Sequence, residues 1–178
     1  GSGKSLAMNM EIIRLCFAYP GLRAVILRRF IPELRDSTEA SFFESLPPEL
    51  NSKQYVRKLG GHVDHITFPN GSRLEFRGAE DPDRFKSAEY GLIAFDEVDQ
   101  IPEADVKKIL QRLRQSSPLN GAKLPRGVRM PNLSINASNP AGKNWVWGAF
   151  VEGKDAAWSD ASVHLSTSLD NPYLPKDY

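Results

Sequence analysis

Leu92-Ile-Ala-Phe-Asp-Glu97 sets four consecutive apolar residues against two adjacent carboxylates. A short unbroken apolar run of this kind reads as a strand covered on both faces, as in a parallel sheet. In open α/β sheets, ligands bind beyond the C-terminal ends of the strands, where Asp96 and Glu97 would stand. There Asp96 would hold Mg2+, directly or through water, and Glu97 would take a proton from, or orient, an attacking water. A solvated acidic turn is the plain alternative for these two residues taken alone.

Upstream, Gly3-Lys4-Ser5 precedes Leu6–Ala18, apolar on nearly every side and stopped at Tyr19-Pro-Gly21. That is a buried helix opened by the last three residues of the phosphate-loop pattern G-x-x-x-x-G-K-[ST]. Backbone N–H groups and the helix N-terminus would hold phosphate oxygens, Lys4 would add a cation, and the Ser5 hydroxyl would ligate Mg2+. Gly1 and Ser2 belong to the same loop, whose first glycine would fall upstream of Gly1. A third element, Asn136-Ala-Ser-Asn-Pro140, ends another apolar strand. Ser138 and Asn139 would hydrogen-bond the γ-phosphate or the attacking water and so register hydrolysis. An ordinary Asn-Pro turn is the competing reading. The three elements in this order point to a nucleoside triphosphate, with Mg2+ as its metal.

The rest of the chain fills in an α/β pattern. Ala24–Leu27 is a second buried strand, and residues 32–59 read as helical with a break at Pro47-Pro48. His65–Phe68 and Arg73–Phe76 alternate apolar and polar residues around Asn70-Gly71, a hairpin signal. Ala104, Val106, Ile109, Leu110 and Leu113 recur at helical spacing, and 116–131 is a Pro/Gly-rich basic loop. Leu133–Ala137 and Ser162–Ser166 complete the strands, with His164 expected in the core. Alternating buried strands and helices predict an α/β domain with a mostly parallel sheet and one hairpin.

Composition narrows the class. The 178 residues carry 23 Lys plus Arg against 22 Asp plus Glu, a net charge of +1, which excludes wholesale basicity of the histone kind. Contact with nucleic acid must therefore come from local clusters. Arg112, Arg114, Lys123, Arg126 and Arg129 form one and Arg28, Arg29 and Arg35 another; a solvated charged face is the alternative for both. The single cysteine, Cys16, excludes an internal disulfide and a Cys-based zinc site. No stretch approaches 18 apolar residues, and no charged-then-apolar leader opens the chain, so a cytoplasmic location is expected. His62-Val-Asp-His65 has metal-like spacing but reads as polar surface. Trp145, Trp147 and Trp158 are expected to pack the end of the sheet.

Taken together, the chain resembles the large terminase subunits of tailed bacteriophages, specifically their N-terminal packaging-ATPase domain. The resemblance rests on Gly1–Ser5, Leu27-Arg-Arg-Phe30 with Leu34-Arg-Asp-Ser37, Phe68–Ser72, Phe76-Arg-Gly78 and Asp81–Tyr90. It continues through Phe95-Asp-Glu97, Ser138-Asn-Pro140 and Asp170–Pro175. It implies a P-loop NTPase of the additional-strand, catalytic-glutamate type over residues 1–168, and 169–178 as the start of a linker toward an absent nuclease domain. It further implies an ATP-driven motor that moves double-stranded DNA into a procapsid as a homo-oligomeric ring on the portal protein, with a small terminase subunit as partner, in the cytoplasm of the infected bacterial host. Family motors use an arginine that reaches the neighbouring subunit's γ-phosphate; Arg84 matches best, with Lys86 as the alternative and surface pairing with Asp81 or Asp83 as the other reading. Rival functions are a helicase or other nucleic-acid translocase, and a non-catalytic portal-docking module.

Overall fold

The computed structural model describes residues 3–139, 142–153 and 158–166. Six strands form one sheet: β1 (Arg23–Arg28), β2 (Val56–Leu59), β3 (His62–Thr67), β4 (Arg73–Gly78), β5 (Leu92–Phe95) and β6 (Leu133–Asn136), in the order β2-β3-β4-β1-β5-β6. The pairs β4/β1, β1/β5 and β5/β6 are parallel, whereas β2/β3 and β3/β4 are antiparallel. The hairpin therefore belongs to the main sheet, and its second strand is the direct neighbour of β1.

The apolar runs behave as their composition requires. Ala24 to Leu27 and Leu92 to Phe95 are all fully buried. Alternate residues feed two cores: Ala24, Ile26, Leu92 and Ala94 face α1 (Lys4–Ala18) and Phe42. Val25, Leu27, Ile93 and Phe95 face Val106 and Ile109 of α4 (Glu103–Leu110). Each Val, Leu, Ile and Phe among them contributes about 1.5–3 kcal/mol of burial. Trp145 and Trp158 close the second core, and Trp145 Nε1 donates to the Ile101 carbonyl at 3.0 Å. Cys16 is fully enclosed in the first core, and burial pushes its thiol pKa up.

Four expectations need correction. Val56–Leu59 is an edge strand, not helix. The signal was Gly60-Gly61, with φ of 59° and 81°, which closes a two-residue hairpin into β3. The rest of the helical stretch is split into α2 (Ile31–Glu33), a π-helical turn over Leu34–Glu39, α3 (Ala40–Ser45) and a 3-10 turn over Pro48–Leu50. Helix α1 is buried on one face only, because Leu6, Met10 and Phe17 are exposed. Ser162–Ser166 is exposed and has no regular structure, so His164 is not a core residue. Residues 169–178, the expected linker, lie outside the described residues. Among the described residues, no helix is long and apolar enough to cross a membrane.

The loop after α4 is stitched to the sheet at its start. Buried Gln115 accepts from the Arg23 N–H and donates to the Gly21 carbonyl, both at 2.8 Å. Gly21 has φ of 70°, and an added Cβ would meet Leu119 N at 2.7 Å, so conformation and close approach both demand glycine.

One ion network lies on the sheet face. Glu75 is fully buried and contacts Arg23 at 3.0 Å, Arg73 at 3.3 Å and Arg77 at 3.1 Å, while the Tyr90 hydroxyl donates to it at 3.1 Å. Removing one member of a buried ion network strands the rest. Glu75→Ala is expected to lower the unfolding free energy by about 3–5 kcal/mol, as read by urea denaturation.

Candidate functional site

The parallel strands end on one level, since Leu27 of β1 pairs with Phe95 of β5, which pairs with Asn136 of β6. Backbone bonds carry the alignment one residue further. The Asp96 N–H donates to the Leu27 carbonyl at 2.8 Å, the Ala137 N–H to Phe95 at 2.9 Å, and the Val98 N–H to Ala137 at 3.0 Å. The segment after β6 thus lies along the segment after β5, and Ser138 stands against the turn that follows the two carboxylates.

Asp96 is buried and accepts a 2.6 Å hydrogen bond on Oδ2 from the Thr38 hydroxyl. Thr38 sits in the π-helical turn, a geometry often found at functional sites. Glu97 is the first residue past the buried run whose side chain reaches solvent. Its φ of 53° lies in the left-handed region, at a cost of about 1–3 kcal/mol for a non-glycine residue. Its Oε2 accepts from Arg28 Nη2 and from Gln100 Nε2, each at 2.5 Å. Arg28, at the end of β1, also lies 3.8 Å from Asp96, 3.4 Å from Glu33 and 3.4 Å from the Thr38 hydroxyl. Ser138 Oγ donates to Asp99 at 2.7 Å, and Asn139 is exposed beside it.

At the start of α1, Gly3 has φ of 77°, and an added Cβ there would meet nothing within 4 Å. Glycine is required at this turn for conformation, not for space. The Ala7 N–H bonds the Gly3 carbonyl at 2.9 Å, so the preceding N–H groups of Lys4, Ser5 and Leu6 fall in the turn that has no intrahelical acceptor. Lys4 is half-buried and Ser5 exposed, and α1 packs against β5. Gly1, Ser2 and Pro140 lie outside the described residues.

Of the expected site residues, the fold sets Asp96, Glu97 and Ser138 on the adjoining segments that follow β5 and β6. Arg84 stands apart, 74% exposed on the 3-10 turn Pro82–Phe85, with Nε 3.2 Å from Asp81. It lines a cleft of about 270 Å³ with Arg35, Glu80 and Phe85, and neither Asp96 nor Glu97 borders that cleft. Lys86 is bound to Asp83 at 3.3 Å, and Lys108 contacts the same carboxylate. These two ammonium groups hold Asp83 below the usual carboxylate range.

Three residues of the site were not singled out from the sequence. Arg28 was grouped with a basic surface cluster, yet its side chain is only 11% exposed and already engaged by carboxylates. Its position one residue past an apolar strand, like that of Asp96, was the available signal. Thr38 and Gln100 gave none, because a hydroxyl or amide acquires its role only from what the fold sets opposite it. Arg29 and Arg35 of that cluster are exposed, as are Lys123, Arg126 and Arg129 of the other.

A family model described as phage terminase large subunit matches residues 1–178. The PBSX phage terminase large subunit of Bacillus subtilis (strain 168) is 27% identical over 199 residues, covering 100% of this chain and 42% of that protein. The large terminase from a thermophilic bacteriophage superposes with a TM-score of 0.69 at 22% identity, over 99% of this chain and 40% of that one; its complex with ADP gives the same values. The N-terminal domain of the DNA packaging ATPase from bacteriophage phi29 gives 0.53 at 21% identity, over 88% of this chain and 78% of that one. The chain spans less than half the length of the PBSX protein and of the thermophilic phage protein. These likenesses establish the fold as the one shared by the thermophilic phage large terminase and the N-terminal domain of the phi29 packaging ATPase.

The Thr38–Asp96 bond can be tested without nucleotide. Thr38→Val keeps the shape and deletes the donor, leaving a buried carboxylate oxygen short of a partner. Urea unfolding is expected to show a loss of about 1–3 kcal/mol.

Proposed function

The chain belongs to the phage terminase large-subunit family, and from that premise we propose that it hydrolyses ATP to drive double-stranded viral DNA into a procapsid. The observation that carries this reading is the meeting of Asp96, Glu97 and the Ser138 segment at the C-terminal ends of three parallel strands, with a glycine-led helix packed on the same sheet. Phosphoryl transfer asks for that arrangement: positioning of a charged substrate and preorganised groups where charge develops.

Each residue then has a defined task. Gly1, Ser2 and Gly3, with the first turn of α1, cradle the phosphates through backbone N–H groups, and Lys4 supplies a compact cation. Ser5 and Asp96 would hold Mg2+. The donor set fits this ion: Mg2+ in nucleotide sites is held by one or two protein oxygens plus phosphates and water, and Asp96 stands at a strand end to supply one. The surroundings fit too, because Glu33, Asp96 and Glu97 together offer three carboxylates to one guanidinium. When bound, the ion neutralises charge on the β- and γ-phosphate oxygens. Glu97 accepts a proton from the attacking water. Ser138 and Asn139 respond to loss of the γ-phosphate, which requires the Ser138 hydroxyl to exchange its bond to Asp99.

Arg84 serves a neighbouring subunit in a ring, where a guanidinium supplied in trans stabilises the transition state only in the assembled motor. Its exposure suits that task, and its Asp81 pairing is what assembly would break. The portal protein and a small terminase subunit are the remaining partners, and the work takes place at the procapsid in the cytoplasm of the infected host. The thermophilic phage terminase has been seen with ADP and with ATP-gamma-S, which supports nucleotide as the ligand of this fold.

Mg2+-dependent ATP turnover, with and without linear duplex DNA, tests the reading. Glu97→Gln is expected to lower kcat by about 10²–10⁴ while nucleotide affinity changes less than about twofold. Equal loss of both would reject Glu97 as the base. The exposed loop cluster makes a separate test. Replacing Lys123, Arg126 and Arg129 with alanine is expected to weaken duplex binding equally across sequences, and to flatten its salt dependence by about one unit of slope per lost phosphate contact.

A further inference from the structure

We infer that Lys108 and Arg112 are positioning residues that hold the turn Pro82–Phe85 against α4, and so set the place from which Arg84 reaches the γ-phosphate of a neighbouring subunit. This rests on the reading of Arg84 above and deepens it. The groups on either side of Arg84 are taken up by α4 and the core beneath it. Asp83 contacts the Lys108 ammonium through Oδ1 and the Lys86 ammonium through Oδ2, the latter at 3.3 Å. Phe85 is 3% exposed and shares the second core with Val106 and Ile109 of α4. Arg112, just past the end of α4, donates from Nη1 to the Lys86 carbonyl at 3.0 Å. Its own carbonyl accepts from the Tyr90 N–H at 2.8 Å, which ties the chain leaving the turn to the same end of α4.

These contacts fix both position and tilt. A turn held by Phe85 alone could swivel about that ring. The attachments at Asp83 and Lys86, one on each side of Arg84, remove that freedom. Within the turn, Asp81 Oδ1 accepts from the Asp83 N–H, and the Arg84 N–H donates to the Asp81 carbonyl, both at 3.2 Å. The side chain that this framework presents to solvent without attaching it to α4 is Arg84, 74% exposed and 3.2 Å from Asp81. Arg112 thus serves the turn, and not the basic loop with which its place in the sequence groups it.

The chemistry places a demand on such a mount. As the water oxygen bonds to the γ-phosphorus and the bond to the β,γ-bridging oxygen breaks, charge spreads over the γ-phosphate oxygens and the leaving electron pair stays on ADP. A guanidinium stabilises that charge only at hydrogen-bond distance, and here it must get there across a subunit boundary on a long side chain. The backbone from which Arg84 starts is the part of its reach that its own subunit can fix. Exposed ion pairs add little to stability, so the value of the Lys108–Asp83 contact lies in its geometry.

The test is steady-state turnover with linear duplex DNA, equilibrium nucleotide binding and thermal melting, all on the full-length protein. It compares wild type with Lys108→Ala, Lys108→Arg, Arg112→Ala, Asp83→Asn, Arg84→Ala and the double variant Arg84→Ala/Lys108→Ala. Lys108→Ala and Arg112→Ala are each expected to lower kcat by about 10–100-fold, with nucleotide affinity within about twofold and melting little changed. Lys108→Arg keeps the charge and is expected to retain most of the turnover. Asp83→Asn weakens the same contact from an exposed position, and it carries the test if Lys108→Ala does not fold. In the Arg84→Ala background, Lys108→Ala is expected to cost nothing further, because the group it positions is gone. Mixing in Glu97→Gln, whose Arg84 is intact, is expected to raise the turnover of Lys108→Ala as it raises that of Arg84→Ala. Turnover within twofold of wild type for Lys108→Ala and Arg112→Ala would overturn the positioning role. An equal loss with and without Arg84, or no rescue by Glu97→Gln, would overturn it too. Arg84→Ala turning over like wild type would remove the trans arginine and its mount together, whereas a wild type without Mg2+-dependent turnover would remove the ATPase reading itself.

Discussion

A strand buried on both faces carries an ionisable group along its length only where buried partners surround it, as they do Glu75, and otherwise where it ends. In β1 and β5, four consecutive side chains are sealed between two apolar cores, so the first residues free to be charged are Arg28 on one strand and Asp96 on the next. Parallel pairing sets both at the same edge of the sheet. The rest of the site depends on this constraint. It places a guanidinium against two carboxylates, draws in Thr38 from the π-helical turn, and gives the segment after β6 a fixed neighbour.

Two ion networks answer different needs within the same sheet. Around Glu75, three guanidinium groups and the Tyr90 hydroxyl surround one fully buried carboxylate, which neutralises it and locks β1 to β4. Around Arg28 the balance is reversed, with one guanidinium among Glu33, Asp96 and Glu97. Buried ion pairs add little net stability over apolar packing, and their value lies in fixing geometry. The first network is closed and structural. The second keeps surplus negative charge at the strand ends, facing the region in which a phosphate-bound divalent cation would be received.

The same segments that hold the carboxylates also link them to more exposed parts of the molecule. The turn that carries Thr38 continues α2 and leads into α3, while Asp99 and Gln100 on the turn after β5 bond Ser138 and Glu97 respectively. A change at any one of these groups alters the partners of the next.

Much of this was legible in order along the chain. Apolar runs at 24–27 and 92–95, the Asn70-Gly71 turn and the Gly-Lys-Ser helix start are local patterns, and local sterics and burial determine what they become. The place of Asp96 and Glu97 at the end of a buried strand was readable for the same reason. The edge strand Val56–Leu59 was hidden because it buries little and alternates weakly; only the Gly60-Gly61 turn betrayed it. By itself the sequence determined the fold class, the family and the position of two carboxylates at a strand end. Tertiary structure alone decided that Arg28 belongs to those carboxylates and not to a basic surface, and that Thr38 and Gln100 join it. The physical reason is that a hydrogen bond or ion pair between residues tens of positions apart exists only once the sheet order and register have set their donors and acceptors within about 3 Å.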